Sequence, residues 1–93
     1  MLQLRNKHQE IIQQILSKYP YKFYAYGSRV KGQAEECSDL DLCYQEKIPW
    51  KTISNIWGEL EDSDLPFKVD LVYWEWMAPE FREIIRGDLI LLN

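Results

Sequence analysis

Two aspartates one residue apart, Asp39 and Asp41, lie in the alternating run Asp39-Leu40-Asp41-Leu42. A period of two is that of a β-strand, so both carboxylates point to one face and both leucines to the other. Like charges at neighbouring same-face positions repel. The arrangement becomes favourable when a divalent cation sits between them. A third acid, Asp70, interrupts the apolar alternation of Phe67, Val69 and Leu71. If the two strands are neighbours, all three carboxylates can converge. Oxygen donors with few competing nitrogen or sulfur ligands suit Mg²⁺ or Mn²⁺. Two such ions ~4 Å apart can activate an attacking oxygen and stabilise a leaving one in phosphoryl or nucleotidyl transfer. Asp70 could also accept the proton of the attacking hydroxyl.

Upstream, the aromatic run 22–26 ends at Gly27-Ser28, ten residues before Asp39. A strand running into Gly-Ser and a short helical turn presents backbone N–H groups that can hold a phosphate. The same pair also reads as an ordinary turn in which Ser28 caps a helix. Gly32 keeps that helix short. Arg29 and Lys31 follow the turn, where either could steady a triphosphate or stand as a solvated charge. For the acids, the structural alternative is an exposed sheet face with Asp70 paired to Lys68 or an arginine. A sheet that is purely structural gains nothing from two like charges side by side.

These residues need elements to place them. Leu4, His8, Ile11, Ile12, Ile15 and Leu16 form a helical stripe, predicting a helix over 4–18 that Pro20 stops. His8 on that stripe reads as a packing or surface residue. Strands are expected over 22–26, 39–44 and 67–73. A helix over 51–61 buries Ile53, Ile56, Trp57 and Leu60. A last helix over 78–86 starts at Pro79 and stops at Gly87. The apolar run 89–92 reads as an edge strand or a docked tail. Alternating helices and strands argue an α/β (α+β) fold, a small sheet flanked by helices.

The 93 residues predict a single domain over 1–93, with one core and little room for a deep enclosed pocket. A site of this size is expected to borrow its acceptor pocket from a partner. A composition 46% hydrophobic and 14% aromatic argues against disorder. The net charge of −4 argues against direct nucleic-acid binding over a broad surface. Cys37 and Cys43 form no CxxC and His8 is the sole histidine, which argues against a zinc cluster. With no leader-like start and no apolar run long enough to cross a bilayer, the expectation is a cytoplasmic protein with reduced thiols. The run Tyr73-Trp74-Glu75-Trp76-Met77 reads as a partner contact, an adenine-stacking platform or core packing.

Gly27-Ser28, ten residues, then Asp39-Leu40-Asp41 resembles the signature of the DNA polymerase β-type nucleotidyltransferases, and more closely that of the minimal nucleotidyltransferases. Their usual form is Gly-Ser-Arg-x-x-Gly followed by Ser-Asp-x-Asp-Leu. Gly27, Ser28, Arg29, Gly32, Ser38, Asp39, Asp41 and Leu42 fit it, and the segments 61–72 and 81–85 extend the likeness over most of the chain. The resemblance implies a small mixed sheet with packed helices. It implies that Asp39 and Asp41 bind two Mg²⁺, that Asp70 binds metal and acts as base, and that Gly27 and Ser28 contact the nucleotide phosphates; Arg29, next in the chain, is read beside them as a phosphate ligand from its position. It further implies an antitoxin that moves AMP from ATP to a tyrosine of a small helical HEPN-type toxin with which it forms a complex. Two other functions fit the same residues. One is a binding module that neutralises a helical partner by contact alone. The other is a nucleotidyltransferase acting on a small molecule such as an aminoglycoside.

Overall fold

The computed structural model describes residues 2–93. Helix α1 (Asn6–Leu16) buries His8, Ile12 and Leu16. It starts later than its apolar stripe because Arg5 is extended, leaving residues 2–5 as a strap outside the helix. Strand β1 (Tyr24–Tyr26) and the four-residue helix α2 (Ser28–Lys31) follow. Then come β2 (Leu40–Tyr44), α3 (Trp50–Glu61) and β3 (Val69–Tyr73). A 3₁₀ turn at Trp74–Trp76 leads to α4 (Pro79–Ile85), a second 3₁₀ turn at Arg86–Asp88, and β4 (Ile90–Leu91). Gly87 therefore tightens the chain into a further turn and does not simply end the helix. The apolar run at the end is an edge strand.

The sheet is mixed, in the order β3-β2-β1-β4. β2 runs parallel to β3, with α3 as the crossover, and β1 is antiparallel to both β2 and β4. Alternation along each strand sorts the side chains into two layers. Ala25, Leu40, Leu42, Val69 and Leu71 join Ile12, Leu16, Ile53, Ile56 and Leu60 of α1 and α3 in the main core. On the other face Tyr26 and Cys43 meet Trp74, Met77 and Ile85. The aromatic run 73–77 is thus divided by its 3₁₀ turn. Trp74 and Met77 are buried, while Trp76 is 76% exposed and touches Tyr73 edge-on.

The last residues tie β1 down from its outer side. The Leu92 amide donates to the Phe23 carbonyl, the Phe23 amide donates to the Asn93 side chain, and that side chain donates to the Tyr21 carbonyl. On the α-helical layer, Lys18 and Tyr19 after α1 both bond to Glu59 of α3. No helix among the described residues is long and apolar enough to cross a membrane.

Leu42 is fully buried on the central strand β2. Leu42→Ala is expected to cost about 2–5 kcal/mol of stability in chemical denaturation, because the rigid sheet cannot collapse into the cavity.

Candidate active site

The antiparallel placement of β1 beside β2 brings the end of one strand to the start of the other. Tyr26 pairs with Asp41, and Asp41 pairs with Asp70 across the parallel ladder. One row across the sheet therefore reads Tyr26, Asp41, Asp70, with neighbouring strands about 4.8 Å apart. Gly27 follows Tyr26 directly and has φ 85°, a conformation that glycine adopts without strain. A side chain there would also clash, since a Cβ on Gly27 would lie 2.6 Å from Oδ2 of Asp41. The bare glycine lets the carboxylate come against the backbone at the phosphate-type turn. Gly27 caps α2, and its carbonyl accepts from the amides of Val30 and Lys31. The amides of Ser28 and Arg29, first in the helix, have no acceptor within it.

The three aspartates differ in setting. Asp41 and Asp70 are half-buried, and Asp39 is exposed on the loop just before β2. Strand pairing starts at Leu40, whose amide donates to the Lys68 carbonyl. Asp39 therefore lies one residue outside the ladder that its alternation predicts. Burial, then Asp70, then Asp39 push the Asp41 carboxyl above the ordinary carboxylate range. Among the described residues, none of the ion pairs involves these three acids, so the alternative of an Asp70–Lys68 pair is not what the structure holds. As placed, no group of three His, Cys, Asp or Glu side chains among the described residues closes into a ready-made metal cage. The donor set itself, carboxylate oxygens in register with a half-buried member, fits a hard divalent cation.

Tyr26 is the residue that sequence reasoning missed. Its phenol is pushed up to about 12, by burial first and then by the fields of Asp41, Cys43 and Asp70. It is a neutral hydroxyl beside the acids, and its ring is held edge-on by Phe81 at 5.9 Å. Only the antiparallel pairing of β1 with β2 brings it to Asp41.

Arg29 departs from its expected place at the phosphates. It is 5% exposed, and its guanidinium is taken up by protein carbonyls. Nε and Nη2 donate to Ser38 O at 3.1 and 2.8 Å, Nη2 also to Glu36 O at 2.8 Å, and Nη1 to Gln3 O at 2.9 Å. Its Cζ lies 4.2 Å from the centre of the Phe67 ring. Burial lowers its proton affinity, opposed by Cys37 and Asp39. Arg29 thus ties α2 to the loop that carries Ser38 and Asp39. The strap 2–5 completes the brace: Gln3 exchanges hydrogen bonds with Ala34, and Arg5 pairs with Glu36. Lys31 pairs with Asp88 at 3.0 Å, a half-exposed contact that contributes little to stability.

The family model described as "Polymerase beta, Nucleotidyltransferase" matches residues 9–93. The chain belongs to the polymerase β nucleotidyltransferases. A Haemophilus influenzae protein named "Probable protein adenylyltransferase MntA" is 37% identical over 99% of this chain and 84% of its own length. A crystal structure from Sulfolobus solfataricus, assigned as a nucleotidyltransferase, shares the fold with a TM-score of 0.50 at 16% identity, over 90% of this chain and 74% of that one. A 51-residue stretch, 55% of this chain, is 39% identical to 2% of "Isonitrile lipopeptide synthase" from Mycobacterium tuberculosis, too small a share to bear on activity. The mixed sheet and flanking helices are the polymerase β-like nucleotidyltransferase fold.

Two measurements probe this site in the nucleotidyltransferase. Arg29→Lys keeps the charge but not the planar fork of donors. It is expected to lose roughly 1.5–3 kcal/mol in denaturant unfolding, as buried carbonyls go unpaired. Unchanged stability would refute the bracing role. For Asp41, a folded-state affinity for protons above the ordinary one means that stability falls as pH rises from the usual carboxylate value of 3.8 through the raised value. In protein treated with a chelator, Asp41→Asn should therefore melt above wild type at neutral pH. The difference should shrink to nothing as pH falls below that window, and a gap that stays constant with pH would contradict the assignment.

Proposed function

We propose that this nucleotidyltransferase moves AMP from ATP to a protein hydroxyl, a tyrosine of a small helical HEPN-type partner, and so acts as the antitoxin of a toxin–antitoxin pair. The observation that carries the reading is the register of Asp41 against Asp70, with Gly27 closed onto Asp41. The name of the Haemophilus influenzae relative, "Probable protein adenylyltransferase MntA", supports a protein acceptor.

In this reading Asp39, Asp41 and Asp70 hold two Mg²⁺, or Mn²⁺ in their place. When bound, the ions neutralise the acids and polarise the phosphate oxygens. The backbone N–H groups of Ser28 and its neighbour receive the outer phosphates at the start of α2. Asp70 takes the proton of the acceptor hydroxyl. The freed oxygen forms a bond to the α-phosphorus as the bond from that phosphorus to the bridging oxygen of the β-phosphate breaks. The electron pair leaves with pyrophosphate, and the proton rests on Asp70. Arg29 keeps Ser38 and Asp39 beside the turn, and Tyr26 keeps Asp41 from solvent on its β1 side. Catalysis then rests on position and field more than on covalent chemistry.

Purified protein with labelled ATP, Mg²⁺ and the product of the adjacent gene is expected to label that product. The label should vanish with a chelator and with Asp39→Ala combined with Asp41→Ala. Transfer that persists in the double variant would overturn the catalytic reading. Protection from the partner's toxicity by that variant would instead support neutralisation by contact alone.

A further inference from the structure

The loop 33–39 between α2 and β2 has no helix or strand, and it carries Asp39, the acid that lies outside the strand ladder. Its residues are exposed except Ala34 and Ser38, which are half-buried. Those two are its points of attachment. Arg29 holds the Ser38 carbonyl. Within the loop the Ser38 amide donates to the Glu35 carbonyl, and the Glu35 amide donates to the Ser38 hydroxyl, so 35–38 is a closed turn. Fastened at Ser38 alone, that turn could swing about the Arg29 contact and carry Asp39 with it.

Ala34 is the second fastening, and its partner is Gln3, in the strap ahead of α1. The Gln3 side-chain amide donates to the Ala34 carbonyl at 2.7 Å, and its side-chain oxygen accepts from the Ala34 amide at 3.1 Å. A neighbouring strand offers a residue the same two-way pairing. The Gln3 main chain is engaged as well. Its amide donates to the Arg29 carbonyl at 2.6 Å, and its carbonyl accepts from Arg29 Nη1 at 2.9 Å. The Arg29 carbonyl is among the last in α2, where helix carbonyls need partners from outside. Gln3 therefore joins α2 to the loop. The strap is itself anchored, since Leu2 and Leu4 on either side of Gln3 pack on the main core. Gln3 is exposed, so truncating it opens no cavity in that core.

We propose that Gln3 is a positioning residue of the acid site: by fixing Ala34 it sets where Asp39 stands, and through Asp39 the affinity of the site for a divalent cation. The proposal rests on the nucleotidyl-transfer reading, which gives Asp39 to the cation. Carboxylates already in place bind more tightly, because ordering a loop during binding is subtracted from the binding free energy. When the competent loop position is populated one-tenth as often, the apparent affinity falls about tenfold. Arg5 and Glu36, an ion pair between largely exposed side chains, are the weaker fastening of the same loop.

Mn²⁺ alone is titrated into the full chain and followed by water-proton relaxation. The proteins compared are wild type, Gln3→Ala, Asp39→Ala and the double variant. Gln13→Ala is the control. It removes a similar bond, from Gln13 Nε2 to the Leu92 carbonyl at 3.1 Å, which joins α1 to the chain after β4. Gln3→Ala should weaken Mn²⁺ binding roughly tenfold, the lower end of what partners of metal ligands are worth. Gln13→Ala should leave the affinity unchanged. In hydrogen exchange, the Ala34 amide should lose protection in the Gln3 variant and keep it in the control. Adding Gln3→Ala to Asp39→Ala should cause no further loss, since Gln3 acts through Asp39. An affinity lowered by Asp39→Ala and untouched by Gln3→Ala would overturn the proposal and leave the metal role of the acids standing. An equal loss in Gln13→Ala, or a further loss in the double variant, would also overturn it, the first as general loosening and the second as an effect that bypasses Asp39. An affinity that Asp39→Ala does not change would overturn the assignment of that acid to the cation, and this proposal with it.

Discussion

Two carboxylates held side by side, with no ion-pair partner among the described residues, are the constraint around which this fold is arranged. The parallel register of β2 and β3 sets Asp41 directly against Asp70, and burial raises the cost of charging Asp41. A sheet built only for stability would pair these positions with apolar or opposite charges. Here the apolar residues lie on the reverse face, where Leu40, Leu42, Val69 and Leu71 pack on α1 and α3. That packing holds the two strands in register whatever the charges do. The unfavourable electrostatics are thus confined to one row and offset by the core beneath it.

Arg29 shows how the two halves of the site become one unit. The chain between Ser28 and Asp39 is mostly loop, and such a loop could place Asp39 in many ways. A buried guanidinium with carbonyl partners from Gln3, Glu36 and Ser38 removes that freedom. Its planar, divergent donors suit several carbonyls at once better than an ammonium would. The charge so close to Asp39 also partly balances the acids without forming an ion pair with them.

Much of this was legible in the chain. Acid–apolar alternation placed Asp41 and Asp70 on strands and on one face. Proline marked the start of α4 and the connection after α1, and the spacing of Gly27-Ser28 from Asp39-Leu40-Asp41 pointed to the family. What was not legible came from contacts that carry no residue signal. The partners of Arg29 are backbone carbonyls, which every residue has, so a phosphate ligand and a brace look alike in sequence. Tyr26 sits beside Asp41 only because β1 lies antiparallel to β2, and strand order does not follow from periodicity. The aromatic run 73–77 gave no hint that a three-residue turn would bury Trp74 and leave Trp76 in solvent. Asp39 fell just outside its strand because pairing begins at Leu40, whose amide meets the carbonyl of Lys68, the residue before β3.

The position of β3 at the edge of the sheet carries a further consequence. Asp41 stands on a strand flanked by two neighbours, whereas Asp70 stands on one held by a single ladder. Local opening of an edge costs less free energy than global unfolding, because fewer hydrogen bonds and contacts break together. The exposed Lys68 at the entry to β3 discourages another chain from pairing along that edge. The acids therefore differ in how firmly the fold holds them. Asp41 is a fixed reference point, and Asp70 belongs to an element that can breathe. A molecule that packs against the outer side of β3 would stiffen that strand, so occupancy there and completion of the acid row are thermodynamically linked.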